Sequence, residues 1–175
     1  LNEMCENLVG VDIQDSYGLV IAQAVLNFMR DKLIEFQKTT THLYNLEATP
    51  AESTCYKLAL RDVEDYPDII TQGTKESPYD ANSCHIPVKD VTSIHQLLKH
   101  QDKLQPLLTG GTVAHLFVGH GMTGETAKHI VRTACENFSL PYISIAPQIC
   151  ICEDCGVIET PVDNCPSCGW ETRLY

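Results

Sequence analysis

The chain has 175 residues, of which 43% are hydrophobic and 20% charged, and its formal net charge is -11. This length suits one domain, or one domain with a small appendage, and the composition excludes global disorder. The negative charge argues against unaided binding to a nucleic-acid backbone, which needs clustered Lys and Arg. It is compatible with binding one nucleotide, because a few backbone N–H groups can hold a phosphate.

The sequence carries no signal for membrane insertion or secretion. It has no run of about 18 apolar residues, which a transmembrane helix needs, and its N-terminus lacks the pattern of a signal peptide. Leu1 stands in place of an initiator Met, so we expect a fragment of a longer protein or a processed chain. The odd number of cysteines, nine in all, favours a reducing cytoplasm with bound metal over a set of disulfides.

The predicted elements of the first half are mainly helical. Val20, Ala24, Leu33 and Phe36 form an apolar stripe at helical spacing, which predicts an amphipathic helix capped by Asp15 or Ser16. A β-branched run of threonines then ends the helical preference. In chain order we predict a helix over 15–38, a strand over 42–47, a helix over 49–62, an irregular connection with short strands over 63–90 and a short helix over 91–100.

The second half predicts a strand, a helix and a strand in succession. Gly110 and Gly111 form a turn, the strand 113–118 follows, and then come the helix 123–138 and the strand 142–146. Such a βαβ unit implies a parallel pair of strands with a right-handed crossover. The main body is therefore predicted to be α/β. His115 and His120 flank the first strand, and we interpret both as structural residues.

The C-terminal region contains two matched CxxCG motifs, formed by Cys152 with Cys155 and by Cys165 with Cys168. Zinc prefers tetrahedral thiolate sites, and a two-residue gap places two sulfurs on one edge of the tetrahedron. Glycine after each pair permits the positive φ of a tight turn. The motif therefore predicts a structural zinc site, because four protein ligands leave no open position. Cys150 lies outside this pattern and is interpreted as a spare buried thiol.

The cysteine pattern could also arise from a redox CxxC, from chance or from a site for iron. A redox CxxC usually stands alone at the N-terminus of a helix. Two matched pairs separated by nine residues do not fit that description. Iron is the main rival to zinc as the bound metal.

Residues 49–52 fit a capping box, with Thr49 at the N-cap, Pro50 at the first helical position and Glu52 at the third. The simplest interpretation is a well-formed helix start. A functional interpretation uses the same geometry, because free N–H groups at a helix N-terminus can hold an anion. The substrate-phosphate candidates are then Thr49, Ala51, Glu52, Ser53 and Thr54. The carboxylate of Glu52 would compete with a phosphate unless it pointed away.

Four segments, taken in order, resemble the C-terminal part of the anaerobic (class III) ribonucleoside-triphosphate reductases. They are LEATPAE at 46–52, YDANSCHIPV at 79–88, TGGTVAH at 109–115 and the paired CxxC. The resemblance implies one half of a ten-stranded α/β barrel of the glycyl radical enzyme type, followed by a small zinc-ribbon-like segment. It divides the chain into a half-barrel portion of the catalytic domain over 1–148 and a zinc-binding segment over 149–175.

The resemblance also implies a chemistry, the reduction of ribonucleoside triphosphates to deoxyribonucleotides. In this family an S-adenosylmethionine-dependent iron–sulfur activase installs a glycyl radical, which generates a cysteine thiyl that attacks the ribose. Formate is the usual reductant, and a homodimer is expected for the full-length enzyme. The segment 49–54 resembles the helix start that holds the substrate phosphates.

The sequence departs from the family pattern in two ways. The radical glycine is expected a short way past the second CxxC, and Arg173-Leu174-Tyr175 precede that position. The thiyl cysteine is expected in an N-terminal half, and its motif surrounds none of Cys5, Cys55, Cys84 and Cys135. We therefore assign no catalytic residue and expect the isolated chain to be inactive. The alternatives are a non-catalytic zinc module that binds a nucleotide or partner, and a different glycyl radical enzyme.

Overall fold

A computed structural model describes residues 1–49, 51–119, 121–147, 149–158 and 162–174, with only the backbone of residues 52, 173 and 174. The helices within these ranges are α1 (Asn2–Val9), α2 (Ser16–Thr40), α3 (Glu52–Asp65), α4 (Ile94–Gln101) and α5 (Gly124–Asn137). The strands are β1 (Gln72–Gly73), β2 (Pro78–Tyr79), β3 (Ala114–Val118), β4 (Ile143–Pro147), β5 (Cys150–Cys152), β6 (Gly156–Ile158) and β7 (Arg173–Leu174).

The chain divides into two compact units. The first comprises Leu1–Ala114 with Phe138–Tyr142, and the second comprises His115–Asn137 with Ile143–Tyr175. The predicted boundary between residues 148 and 149 stays a prediction. The core of the first unit joins α1, α2 and the segments that follow α3 and α4; its buried members are Cys5, Ile13, Leu19, Ala22, Leu26, Ala48, Cys84, Leu104 and Leu108. Burying each large aliphatic side chain contributes roughly 1.5–3 kcal/mol.

Helix α2 is the longest element, and its start agrees with the sequence. The side chain of Asp15 accepts the N–H of Tyr17 at 2.7 Å and so caps the helix. The helix ends at Thr40, two residues later than predicted, because Thr41 adopts a left-handed conformation with φ 61°. Gly18 permits close packing here, since a Cβ at this position would lie 2.0 Å from the carbonyl oxygen of Asp12.

The predicted core face of α2 is wrong. Val20 and Phe36 are exposed by 59% and 49%, whereas the buried apolar residues of the helix are Leu19, Ala22 and Leu26. The helix carries apolar side chains on more than one side, so the periodicity alone did not identify the face that has a partner. Leu19, Ala22 and Leu26 belong to the core of the first unit described above.

The predicted strand at 42–47 is reduced to a single bridge. Glu47 pairs with Gly111 in parallel orientation, the N–H of Ala48 donates to Gly111 at 2.9 Å, and the N–H of Gly110 donates to Leu46 at 2.7 Å. Leu43 is 94% exposed, so the earlier residues of this segment have no packed surface to stabilise an extended strand. The bridge nonetheless places the start of α3 beside the segment that leads into β3.

The connection between α3 and α4 is irregular, as predicted. It contains the antiparallel pair β1–β2 and a short 3-10 turn at Val88–Asp90. The side chain of Ser93 accepts the N–H of Gln96 at 3.1 Å and caps α4. Ser83 adopts a left-handed conformation with φ 46°, which turns the chain sharply beside Asn82.

The second unit begins with the predicted order of strand, helix and strand. β3 and β4 are neighbours in a two-stranded sheet, and α5 lies between them in sequence. The parallel orientation and the right-handed crossover stay predictions. A three-stranded antiparallel sheet follows, in the order β6-β5-β7. The fold class is therefore mixed α/β, and the sheets formed by the described residues contain two or three strands each.

The helices within the described ranges are too short or too polar for a membrane span. Among the residues described above, no helix combines the length and the apolar character that crossing a bilayer requires. This agrees with the absence of a long apolar run in the sequence.

Candidate functional site

The structure brings Cys152, Cys155, Cys165 and Cys168 together, and we call them the four-cysteine cluster. Their four sulfur atoms all lie within 4.8 Å of one another, and the sulfurs of Cys152 and Cys168 are 3.5 Å apart. A tetrahedral zinc ion with Zn–S bonds of about 2.3 Å requires sulfurs about 3.8 Å apart. The donor set and its spacing therefore fit a tetrahedral thiolate site for a metal such as zinc.

Each pair of cysteines is carried by a short turn of the backbone. Cys152 ends β5, and Cys155 closes the turn that leads into β6. The second pair lies in a turn where the N–H of Cys165 donates to Trp170 at 2.7 Å and the N–H of Gly169 donates to Cys165 at 2.8 Å. These backbone bonds stabilise the turn that carries both cysteines of the second pair.

The glycines that follow each pair behave as predicted. Gly156 and Gly169 have φ values of 89° and 78°, in the left-handed region that favours glycine. A Cβ atom at either position would meet no atom within 4 Å. Backbone conformation, and not lack of space, therefore accounts for glycine at both positions.

Hydrogen bonds within the four-cysteine cluster act in opposite directions on the thiols of Cys165 and Cys155. Backbone N–H groups of Cys168 and Ser167 stabilise the Cys165 thiolate and lower the pKa of Cys165 to about 6. Hydrogen bonds with the sulfurs of Cys168 and Cys165 raise the pKa of Cys155 to about 12. Metals bind the thiolate form, so these backbone N–H groups favour the form of Cys165 that acts as a ligand.

The start of α3 differs from the predicted capping box. The helix begins at Glu52, with Ala51 at the N-cap and no side-chain cap, so Thr49 is not the capping residue. Ala51 has non-helical backbone with φ -142° and ψ 52°, and its carbonyl accepts the N–H groups of Thr54 at 3.0 Å and Cys55 at 2.8 Å. Pro50 and the side chain of Glu52 lie outside the described residues. At this later start, the N–H of Ala51 donates to the side chain of Asn82.

The side chain of Asn82 contacts the first turn of α3. Its side-chain oxygen accepts the N–H of Ala51 at 3.4 Å and the thiol of Cys55 at 2.9 Å. The N–H of Ala51, predicted to contact phosphate, is therefore engaged with Asn82. Phosphate binding by this turn stays a prediction. Ser53 and Thr54 are exposed, and the N–H of Ala51 is already bonded to Asn82.

A buried amide network positions Asn82 in turn. The carbonyl of Asn82 accepts the backbone N–H of His85 at 2.8 Å, and the ring of His85 contacts the carbonyl of Val113 at 2.7 Å. Gln105 donates to Gln101 at 2.9 Å and also contacts His85. Sequence reasoning included Asn82 and His85 in a family-like segment without giving either a role. Their bonds join segments far apart in the chain, and no local pattern signals them.

The remaining sequence candidates lie in ordinary structural settings. His115 is half-buried and stacks on Phe117 with ring centroids 6.1 Å apart, and His120 is outside the described residues. Cys84 is fully buried, and burial raises the pKa of its thiol to about 11. Such a thiol is a poor nucleophile at neutral pH. Cys135 is exposed on α5.

Comparison with known families gives a single assignment across the chain. A family model described as anaerobic ribonucleoside-triphosphate reductase matches residues 1–174. A search among curated proteins finds no match.

Comparison with solved structures points to the same family. A structure described as an anaerobic ribonucleotide reductase is 21% identical, with a TM-score of 0.70 over 91% of this chain and 24% of that chain. Two structures of the anaerobic ribonucleotide reductase from Thermotoga maritima, one with MES and one with glycerol in the active site, are likewise 21% identical. Their TM-scores are 0.70 and 0.69 over 90% and 91% of this chain. The chain spans about a quarter of each of these proteins, and at this identity the likeness shows the fold.

Proposed function

This chain belongs to the anaerobic ribonucleoside-triphosphate reductase family, and we propose that it forms the half-barrel and metal-binding portion of such an enzyme. The family match over residues 1–174 is the observation that carries this proposal. The proposed reaction reduces a ribonucleoside triphosphate to the deoxyribonucleotide, with formate as the reductant. The radical chemistry is supplied by a glycyl radical that a radical S-adenosylmethionine activase installs.

We propose zinc as the metal held by the four-cysteine cluster. Four thiol sulfurs within 4.8 Å support a tetrahedral site, and four protein ligands leave no position for substrate or water. The metal therefore has a structural role, namely to hold β5, β6 and the turn of Cys165 and Cys168 in one arrangement. Iron in the same thiolate set is the alternative, and elemental analysis distinguishes the two.

We propose that the first turn of α3 holds the substrate phosphates. The candidates are Thr49, Ala51, Glu52, Ser53 and Thr54. The support is a helix N-terminus, whose N–H groups and dipole favour an anion, together with the exposed hydroxyls of Ser53 and Thr54. Because Ala51 donates to Asn82, the N–H groups of residues 52 and 53 are the main donors in this proposal.

The reductase is expected to act in the cytoplasm as a homodimer, with the activase as its protein partner. The matching family is described as anaerobic, so the activity is expected under anaerobic conditions.

The test uses the full-length polypeptide that contains this chain. The protein is incubated without oxygen with the activase, S-adenosylmethionine, formate and a ribonucleoside triphosphate, and deoxyribonucleotide is measured. We expect product that depends on both activase and formate. Metal binding with no product under these conditions would favour the non-catalytic binding module over the reductase.

A further inference from the structure

Cys150 is a buried thiol two residues before the first member of the four-cysteine cluster. It begins β5, and it is 2% exposed. Alternate residues of a strand point to the same face, so Cys150 and Cys152 share the buried face of β5. The sulfur of Cys150 accepts the backbone N–H of Val162 at 3.4 Å. This bond joins the strand of Cys152 to the segment that carries the other pair of cysteines.

Val162 begins a loop that closes on itself around Cys165 and Cys168, and we call residues 162–172 the second-pair loop. The hydroxyl of Thr172 donates to the carbonyl of Val162, and the N–H of Thr172 donates to Asp163 at 2.9 Å. Asn164 and Glu171 form an antiparallel bridge inside it. The second-pair loop is thus internally braced, and the contact between Cys150 and Val162 ties it to β5.

We propose that Cys150 is a positioning residue for the metal site, where its sulfur fixes the distance between the two pairs of ligands. The proposal rests on the metal binding proposed above. Coordination is a different role, since the four sulfurs that lie within 4.8 Å of one another are those of the four-cysteine cluster.

The expected effect follows from the loss of the hydrogen-bond acceptor for the N–H of Val162. The contact between Val162 and Cys150 is half-buried, and an N–H that loses its acceptor there is unfavourable, so we expect Val162 to move or to turn toward water when the sulfur is removed. The second-pair loop then samples more positions relative to β5. Metal binding has to supply the ordering that the Cys150 contact supplied, and the affinity falls.

The experiment measures affinity for Co²⁺ by competition with a chelator, on the full-length protein under reducing conditions. Cys150→Ala is expected to weaken binding on the order of tenfold, as for other residues that orient metal ligands. Cys150→Ser is expected to recover most of the affinity, because a hydroxyl oxygen also accepts an amide N–H. Cys135→Ala removes an exposed cysteine and is the matched control with unchanged affinity.

The absorption spectrum separates positioning from coordination. At saturating Co²⁺, Cys150→Ala is expected to keep the thiolate-to-cobalt absorption of the wild type, whereas Cys152→Ser loses part of it. Thr172→Val removes the hydroxyl that bonds to Val162 and is expected to loosen the second-pair loop without removing a thiol. This variant is therefore also expected to weaken Co²⁺ binding. Wild-type affinity in Cys150→Ala, or a spectrum with one thiolate fewer at saturation, overturns the proposal. A wild-type protein that binds neither Co²⁺ nor zinc instead overturns the metal site itself.

Discussion

The thiol of Cys55 donates a hydrogen bond of 2.9 Å to the side-chain oxygen of Asn82, from one turn into α3. The same oxygen accepts the N–H of Ala51 at 3.4 Å. A single side-chain oxygen therefore contacts the residue before α3 and a thiol within its first turn, while the helix has no side-chain cap of the kind predicted for Thr49. We therefore expect the stability of this turn to depend on Asn82, which lies 31 positions from Ala51 in the chain.

Asn82→Ala is expected to destabilise the protein by about 1–2 kcal/mol, because two donors lose their shared acceptor. Asn82→Asp is expected to cost less, since its carboxylate still accepts both bonds. Asn27→Ala, at an exposed position on α2, serves as the control and should change little. Urea unfolding of the four proteins measures these differences. Equal stability of Asn82→Ala and the wild type would show that the contact has no role in holding α3.

Ser53→Ala and Thr54→Ala are expected to weaken binding of a ribonucleoside triphosphate two- to fivefold each, about 0.5–1 kcal/mol for a lost hydrogen bond. Binding of the corresponding nucleoside, which has no phosphates, should stay unchanged. Isothermal titration of both ligands against the full-length protein provides the comparison. An equal loss for nucleoside and triphosphate would place the effect elsewhere than at a phosphate site.

Ala51→Pro, which deletes an N–H, is a poor test of the phosphate proposal. The φ of Ala51 is -142°, far from the value near -65° that proline requires, and its N–H already donates to Asn82. The substitution would therefore distort the turn and break a structural bond at once. The side-chain variants of Ser53 and Thr54 avoid both effects.

His100 is expected to make stability depend on pH. Burial lowers the pKa of His100, and its ring bonds to the carbonyl of Ile13 at 2.7 Å and to the side chain of Gln101 at 3.1 Å. The imidazole of His100 therefore binds a proton more readily in the unfolded chain than in the folded chain. Its contribution to stability is therefore complete above the ordinary histidine pKa of about 6.5 and is lost as pH falls through the lower folded value.

The matched variant is His100→Gln, which keeps a donor for Ile13 and cannot titrate. Urea midpoints measured from pH 8 to pH 5 should fall more steeply for the wild type than for the variant. Burial raises the pKa values of Glu6 and Asp80, so their contributions to stability are lost as pH rises. Both groups are present in the two proteins, and the difference between the two curves therefore reports on His100. Identical slopes would contradict the prediction.

The parts of the site that could be predicted from the sequence are those fixed over short distances. The spacing within each CxxC and the glycine that follows it determine the local turn, so the meeting of Cys152, Cys155, Cys165 and Cys168 agrees with the motif. The start of α2 at Asp15 is equally local, since a side chain caps an amide two residues later. The strand, helix and strand of the second unit follow from periodicity.

The parts that could not be predicted depend on contacts between distant segments. Leu19 and Val20 are both apolar, and only the tertiary partner decides that Leu19 is buried and Val20 exposed. The capping signal at Thr49 was locally valid, and the bond from Ala51 to Asn82 accompanies a later helix start. The link between Cys150 and Val162 is likewise invisible in the spacing of the cysteines.

The four-cysteine cluster is proposed to bind one structural zinc ion in a reductase of the anaerobic family. Elemental analysis of protein purified under reducing conditions tests this proposal most directly. The fluorescence of Trp170, the single tryptophan, provides a second readout beside the site. We expect about one zinc per chain in the wild type and in Cys150→Ser, and a large loss in Cys152→Ser. Wild-type protein that contains no metal while all four thiols are free would contradict the account.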